Sequence, residues 1–255
     1  MSVAVSPLLK VENIRVVFDR FVAINDMSMT VPDKGLRFLI GPNGAGKTTL
    51  LDVICGKVRP QIGKVLFNER YPLGKFSEHE IVRLGIGRKF QAPSVFEQLT
   101  VMDNLEIAMN QPRGVWDLIK ARSGKEQFEK IEQRLVQMKL QHSRHKVAGT
   151  LAHGEKQWLE IAMVLLQEPL LLLLDEPVAG MSKSETEQTG ELLRDIAKEK
   201  AVVVVEHDMQ FVRKFAHWVT VMHEGGVLCE GTVDEVQQNE MVQQVYIGRR
   251  VEHAG

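Results

Sequence analysis

Apolar and polar residues alternate along residues 8–18 and 23–31, and Asp19–Arg20 separates the two runs. A period of two predicts half-buried strands, with a turn at the polar break. Leu36–Ile40 predicts a short buried strand. A glycine-rich stretch follows at once, then an apolar helix, Thr48–Cys55, that Gly56 ends. Lys64–Phe67 predicts another strand. Ser77-Glu78-His79-Glu80 has the spacing of a capping box and opens a helix that Gly85 stops.

Strand signals vanish from about residue 92 to 150. Thr100-Val101-Met102-Asp103 starts one helix, and Phe128, Ile131, Leu135 and Met138 mark one face of another. Met102, Met109 and Met138 read as core packing. Alternation then returns: a helix at 155–167, a strand at 170–174, and a helix from a Ser182/Glu185 capping box to Lys198. A strand follows at 201–205 and a short helix near 208–216. Glu224-Gly225-Gly226 reads as a hairpin turn, and Thr232/Glu235 caps a last helix. Strands alternating with helices predict an α/β fold with a mostly parallel sheet. The chain then reads as one unit: a core carrying an N-terminal antiparallel β-subdomain (1–91 and 151–255), and an inserted helical subdomain (92–150).

Composition narrows the function. Hydrophobic residues make up 44% and charged residues 25% of 255 positions, ordinary for a globular protein with a sizeable core. The formal net charge of −1 excludes a strongly cationic nucleic-acid coat. Two distant cysteines, Cys55 and Cys229, form no paired motif, which fits a reducing compartment. The N-terminus lacks the pattern of a signal peptide, and the longest apolar runs, Leu170–Leu174 and Ala201–Val205, are too short to span a bilayer. Residues 120–146 hold eight Lys/Arg against three Glu. With Phe128 as their one aromatic residue, they read as a solvated helical face rather than a nucleic-acid patch.

The strongest chemical signal is Gly41-Pro42-Asn43-Gly44-Ala45-Gly46-Lys47-Thr48, between a predicted strand and a predicted helix. This is the context of a P-loop. Its glycines let backbone N–H groups wrap phosphates, and the helix N-terminus adds its positive end. Lys47 is expected to hold the β- and γ-phosphates and Thr48 to ligate Mg²⁺, with Thr49 beside it in the nucleotide site. A second signal is Leu170–Leu174 followed by Asp175-Glu176-Pro177. Five leucines predict a strand buried on both faces. Two carboxylates at its end are costly unless they serve a ligand. Asp175 suits a Mg²⁺-organising carboxylate, and Glu176 is placed to polarise an attacking water. A third, weaker signal is Leu151-Ala152-His153-Gly154-Glu155-Lys156-Gln157, where glycine precedes a helix.

Together these three segments resemble an ATP-binding cassette (ABC) ATPase, over nearly the whole chain. The resemblance implies that Ala152, His153, Gly154 and Glu155 belong to the signature. In that family, the signature of one cassette caps ATP held on the P-loop of a second, head-to-tail cassette. It also implies that Gln91 is the Q-loop glutamine, which senses Mg²⁺ and water, and that His207 is the switch histidine at the γ-phosphate. Ala179-Gly180-Met181-Ser182 takes the place of the D-loop. Phe18 stacks under adenine, with Phe21 as its rival. The family usually has serine where this chain has Ala152. The lost hydroxyl removes a hydrogen bond of about 1–3 kcal/mol near a charge, so the resemblance implies a weakened or asymmetric ATP site rather than a dead one.

A single cassette without a spanning helix resembles a transport ATPase that works with separate permeases. The stretch Gly87–Leu105, Val205-Glu206-His207-Asp208-Met209 and Val245-Tyr246-Ile247-Gly248-Arg249 are similar to importers of the branched-chain amino acid and urea type. His153–Ile161 and Cys55–Pro60 are most similar to the urea importer's ATPase subunit. The resemblance implies ATP and Mg²⁺, membrane permease subunits, a second ATPase subunit in a hetero- or homodimer, an indirectly coupled periplasmic solute-binding protein and no nucleic acid. It places the chain in the cytoplasm, against the inner face of the membrane. The expected function is import of a small polar solute, most readily urea. The rivals are a branched-chain amino acid importer, a nucleotide-gated switch that hydrolyses poorly, and a non-transport ABC ATPase.

Overall fold

A computed structural model of the chain describes residues 6–89, 95–109 and 124–245. Strands β1 (Leu9–Phe18) and β2 (Phe21–Val31) form the expected antiparallel hairpin, with Asp19 in the left-handed region at its turn. Together with β4 (Ile62–Phe67) and the short β5 (Tyr71–Pro72), they make a four-stranded sheet in the order β2-β1-β4-β5. The second sheet has six strands: β3 (Gly35–Ile40), β6 (Ile86–Lys89), β7 (Leu171–Asp175), β8 (Ala201–Val205), β9 (Trp218–His223) and β10 (Gly226–Gly231). Its order is β10-β9-β3-β8-β7-β6, parallel except for the β9–β10 hairpin at one edge.

The parallel strands need connections that cover both faces of their sheet, and two apolar layers result. Leu172 and Leu174 of β7 point into one layer, with Leu159, Leu165 and Leu193 from helices His153–Leu166 and Lys183–Ala197. Leu171 and Leu173 point into the other, with Leu50 and Ile54 of helix α1 (Lys47–Ile54) and with Ile14 and Ile24 of the four-stranded sheet. Helix α2 (Glu78–Leu84) lies on this second side through Ile81. The helical insert joins the first layer: α3 (Val101–Met109) and α4 (Gly124–Gln137) contribute Leu105, Ile131 and Leu135 against α5 (His153–Leu166).

Capping boxes close reciprocally at Ser77/Glu80, Ser182/Glu185 and Thr232/Glu235, opening α2, α6 (Lys183–Ala197) and α8 (Val233–Gln238). Asp208 caps α7 (Met209–Phe215) through its carboxylate. Glu224 and Gly225 both have positive φ, which gives the β9–β10 hairpin the right-handed twist of its strands.

Two expectations are corrected. Leu170 is 47% exposed, and the strand runs from Leu171 to Asp175. The Leu170 backbone still bonds to Gly85 and Ala201, but its side chain lies outside both layers. Phe128 is 49% exposed, whereas Ile131, Leu135 and Met138 on the same stripe are buried. The stripe runs past the surface it packs on. Met102 and Met109 are half-buried against the core, and Met138 is fully buried.

These two corrections set up a paired test. Leu172→Ala should destabilise the protein by about 2–5 kcal/mol, because it opens a cavity in a closed layer. Phe128→Ser should change stability by no more than about 0.5 kcal/mol. Urea unfolding midpoints read both. Equal losses in the two variants would contradict the assignment of layers.

Candidate functional site

The glycine-rich segment leaves the end of β3 at Ile40 and enters α1 at Lys47. Gly41 and Gly46 are pressed by neighbouring backbone. A Cβ on Gly41 would lie 2.2 Å from the Met222 carbonyl oxygen, and one on Gly46 would lie 2.5 Å from that of Ala23. Gly44 has positive φ and open space in front of it. The loop is thus clamped from β9 and β2 and open at its crest. The clamp is completed by Gly225, whose N–H donates to the Ala45 carbonyl (3.2 Å) and whose own carbonyl accepts from Asn25 N–H (2.9 Å). Inside the loop, Ala45 N–H donates to Pro42 (3.1 Å). The Lys47 ammonium is buried and donates to the carbonyls of Gly41 (2.7 Å) and Pro42 (3.0 Å). Asn43 and Thr48 are exposed and Thr49 is half-buried. The first N–H groups of α1 have no intrahelical partners, so the loop offers donors and a cation on one side.

Asp175 ends β7 and is 3% exposed. Arg88 of β6 reaches its Oδ2 (3.4 Å) and binds Asp52 of α1 at 2.6 Å. The guanidinium therefore ties the P-loop helix to the carboxylate strand. Burial pushes the Asp175 carboxyl above its usual range. Arg88 works against this shift and Glu176 adds to it. Such a carboxylate suits a cation. Its donor chemistry, with the exposed Thr48 hydroxyl, is the hard-oxygen set that Mg²⁺ takes alongside phosphate and water. Among the described residues, no group of three or more His, Cys, Asp and Glu side chains is arranged to hold a metal ion.

Glu176 follows in the left-handed region, at φ +47°. Its N–H donates to the Val205 carbonyl (3.0 Å), and its Oε1 lies 3.3 Å from His207 Nδ1. The strained φ turns the side chain away from the sheet path, at a cost of about 1–2 kcal/mol. The His207 side chain is 62% exposed, free to meet a ligand from outside.

The signature segment opens α5. Its cap position, Ala152, has no side-chain acceptor, but its N–H donates to Glu155 (3.1 Å). Glu155 also accepts from Ser143 (2.8 Å). Burial raises its pKa, but the bonds from Ser143 and Ala152 outweigh that and hold it low. The exposed His153 ring bonds the Ala179 carbonyl at 3.0 Å. The Gly154 N–H donates to Glu185, and a Cβ on Gly154 would lie 2.3 Å from the Glu185 carboxylate. Residues 152–154 are thereby fastened to the turn at 179–185, where Gly180 has φ +74°.

Phe18 and Phe21 pair across the hairpin turn, 46% and 61% exposed. The contact of Ala23 with Gly46 brings this end of the hairpin beside the P-loop. Either ring is therefore available to a base. Gln91 lies outside the described residues. The structure thus pairs Glu176 with His207 next to Asp175 and links Asp175 through Arg88 to the helix that carries Lys47 and Thr48, while 152–155 form a separate group with 179–185. In the basic segment, Lys130 pairs with Glu168 and Arg144 with Glu132. Sequence reasoning passed over Arg88 and Glu206. An arginine two positions before Phe90-Gln91, and an acid closing the apolar run Ala201–Val205, were the available signals.

The sequence profile described as ABC transporter matches residues 24–179. The chain is 32% identical over 251 residues to the high-affinity branched-chain amino acid transport ATP-binding protein LivG of Salmonella typhimurium. That match covers 95% of this chain and 98% of LivG. It is 33% identical over 245 residues to the lipopolysaccharide export system ATP-binding protein LptB of Acidithiobacillus ferridurans, again covering 95% of this chain and 98% of the relative. Among solved structures, the ADP conformation of an ATP-binding cassette of an ABC transporter superposes with a TM-score of 0.83. Its sequence identity is 29%, with 95% of this chain and 99% of that one covered.

Asp175→Asn separates the stability of the site from its chemistry. The folded carboxyl titrates above its unfolded value, so the unfolded state binds fewer protons and this group lowers stability as pH rises through the carboxylate range. The amide removes that loss. The nucleotide-free variant should melt at or above the wild-type temperature at pH 7, while Mg²⁺-dependent ATP turnover is lost. A lower melting temperature with intact turnover would contradict the assignment.

Proposed function

This chain belongs to the ABC transporter family, whose ATP-binding subunits hydrolyse ATP to power transport, and from that premise we propose the following roles for its residues. ATP lies on Gly41–Thr49, with Lys47 at the β- and γ-phosphates and the adenine against Phe18 or Phe21. Mg²⁺, held through Thr48, Asp175 and Gln91, supplies charge neutralisation at the phosphates. Glu176 orients and polarises the attacking water for in-line displacement, and His207 holds the far side of the γ-phosphate. The observation that carries this reading is the 3.3 Å contact between Glu176 and His207 at the ends of adjacent strands.

A second cassette, identical or different, supplies the opposing signature. This chain's own signature caps the nucleotide of that second cassette, where Ala152 brings no hydroxyl and Gly154, the helix end and His153 bear the contact. The helical subdomain, 92–150, transmits closure to separate permease subunits on the cytoplasmic face of the membrane, with a periplasmic binding protein delivering the solute. No helix among the described residues is long and apolar enough to cross a membrane, which supports a peripheral place.

For the cargo, the relatives favour a branched-chain amino acid, the rival to urea, and urea rests only on the resemblance of the stretches His153–Ile161 and Cys55–Pro60. A similar identity to a lipopolysaccharide export ATP-binding protein means that uptake itself has to be measured to assign the cargo. Uptake of labelled leucine and urea, in cells lacking the gene and complemented with wild type or Glu176→Gln, tests the assignment. Loss of one uptake, restored only by wild type, fixes the cargo. Retained uptake of both contradicts an importer for either. In the purified complex, Glu176→Gln should lower turnover by about 100-fold or more and leave ATP binding in place.

A further inference from the structure

We infer that Glu206 is a positioning residue for ATP hydrolysis, whose buried carboxylate sets the spacing between Glu176 and His207. This inference rests on the reading of those two residues as the hydrolytic pair. Glu206 is 1% exposed and follows the last residue of β8. Its Oε1 accepts from the Val178 N–H (3.4 Å), two residues beyond Glu176. Its Oε2 accepts from the N–H groups of His207 (3.0 Å) and Asp208 (3.3 Å). One rigid carboxylate therefore holds both segments, one through each oxygen.

The second tie between these segments is backbone to backbone, from Glu176 N–H to the Val205 carbonyl. That bond fixes where Glu176 leaves the sheet. The turn after it closes on itself through Ala179 N–H to the Glu176 carbonyl (3.2 Å), and Glu206 is the side chain that joins this turn to the backbone at His207. Structural satisfaction alone would need only some acceptor for these N–H groups. An ionisable group is an expensive choice in a buried place, because an unpaired buried charge is strongly disfavoured. Burial indeed pushes its pKa up, against the pull of the three N–H groups. Charge-assisted bonds are roughly twice as strong as neutral ones, which suits a part that must hold two segments in fixed relation. The buried Lys89 ammonium, paired with Glu160 at 3.5 Å, also feels the charge of Glu206. Burial remains the larger effect on the Glu206 carboxyl, and the three N–H groups are what hold it in place.

Glu206→Gln keeps the shape and one acceptor. It places an NH₂ group against either Val178 N–H or the pair at His207 and Asp208, so one of the two ties is lost. In the assembled full-length complex, kcat should fall by about 10- to 100-fold, with the KM for ATP and the melting temperature nearly unchanged. The decisive readout is a double-mutant cycle. In a His207→Ala background, Glu206→Gln should cost little more, because the pair whose spacing it sets is already broken. Glu206→Asp, which keeps the charge on a shorter arm, serves if the glutamine variant does not fold. Effects that add independently, or a fall in ATP affinity and melting temperature that accounts for the loss, would overturn the inference. Unchanged turnover in His207→Ala and Glu176→Gln themselves would overturn the reading beneath it, a distinguishable result.

Discussion

A strand buried on both faces has only its ends in which to place polar chemistry, and the arrangement of the site follows from that constraint. Strands β3, β7 and β8 are adjacent, parallel and almost wholly apolar, with Leu39 and Asp175 both level with Val205. Their carboxyl ends therefore emerge side by side. Beyond them come Gly41 after β3, Glu176 after β7, and Glu206-His207 after β8. Ligand sites in open parallel sheets lie at these ends for the same reason. Asp175 is the limiting case, a carboxylate kept inside the last rung, and its raised pKa is the cost of that position.

The neighbours of these ends are there to hold them. Arg88 fastens the P-loop helix to Asp175 through Asp52. The β9–β10 turn presses Gly225 onto Ala45 and β2. The two sheets therefore meet at the loop, and its glycines at 41 and 46 answer to backbone on either side rather than to local turn chemistry alone. Left-handed Glu176 is a second strained point, and its neighbours over-determine it through Val205 and Glu206.

Much of this was legible in the sequence. Alternation in 8–18 and 23–31 carried the hairpin, the unbroken apolar runs carried the buried strands, and capping boxes at Ser77, Ser182 and Thr232 marked helix starts within a residue. Gly41–Thr48 and Asp175–Glu176 stood out because both sit at the ends of apolar runs. Phe128 and Leu170 did not follow. Spacing tells which face a residue occupies, but not how far the facing surface extends. Arg88 and Glu206 were hidden for a different reason. Their partners are Asp52 and Asp175, and Val178 and His207, so their roles exist only once distant segments are brought together.

The central claim is that Gly41–Thr49 is a phosphate cradle, with the Lys47 ammonium poised beside the Gly41 and Pro42 carbonyls. A structure of the full chain with Mg²⁺ and a non-hydrolysable ATP analogue tests it most directly. The account predicts the triphosphate on the N–H groups of this loop, with the Lys47 ammonium moved from the Gly41 and Pro42 carbonyls to the phosphates and Asp175 and Thr48 turned toward the metal. A nucleotide bound elsewhere, with Lys47 still on those two carbonyls, would contradict it.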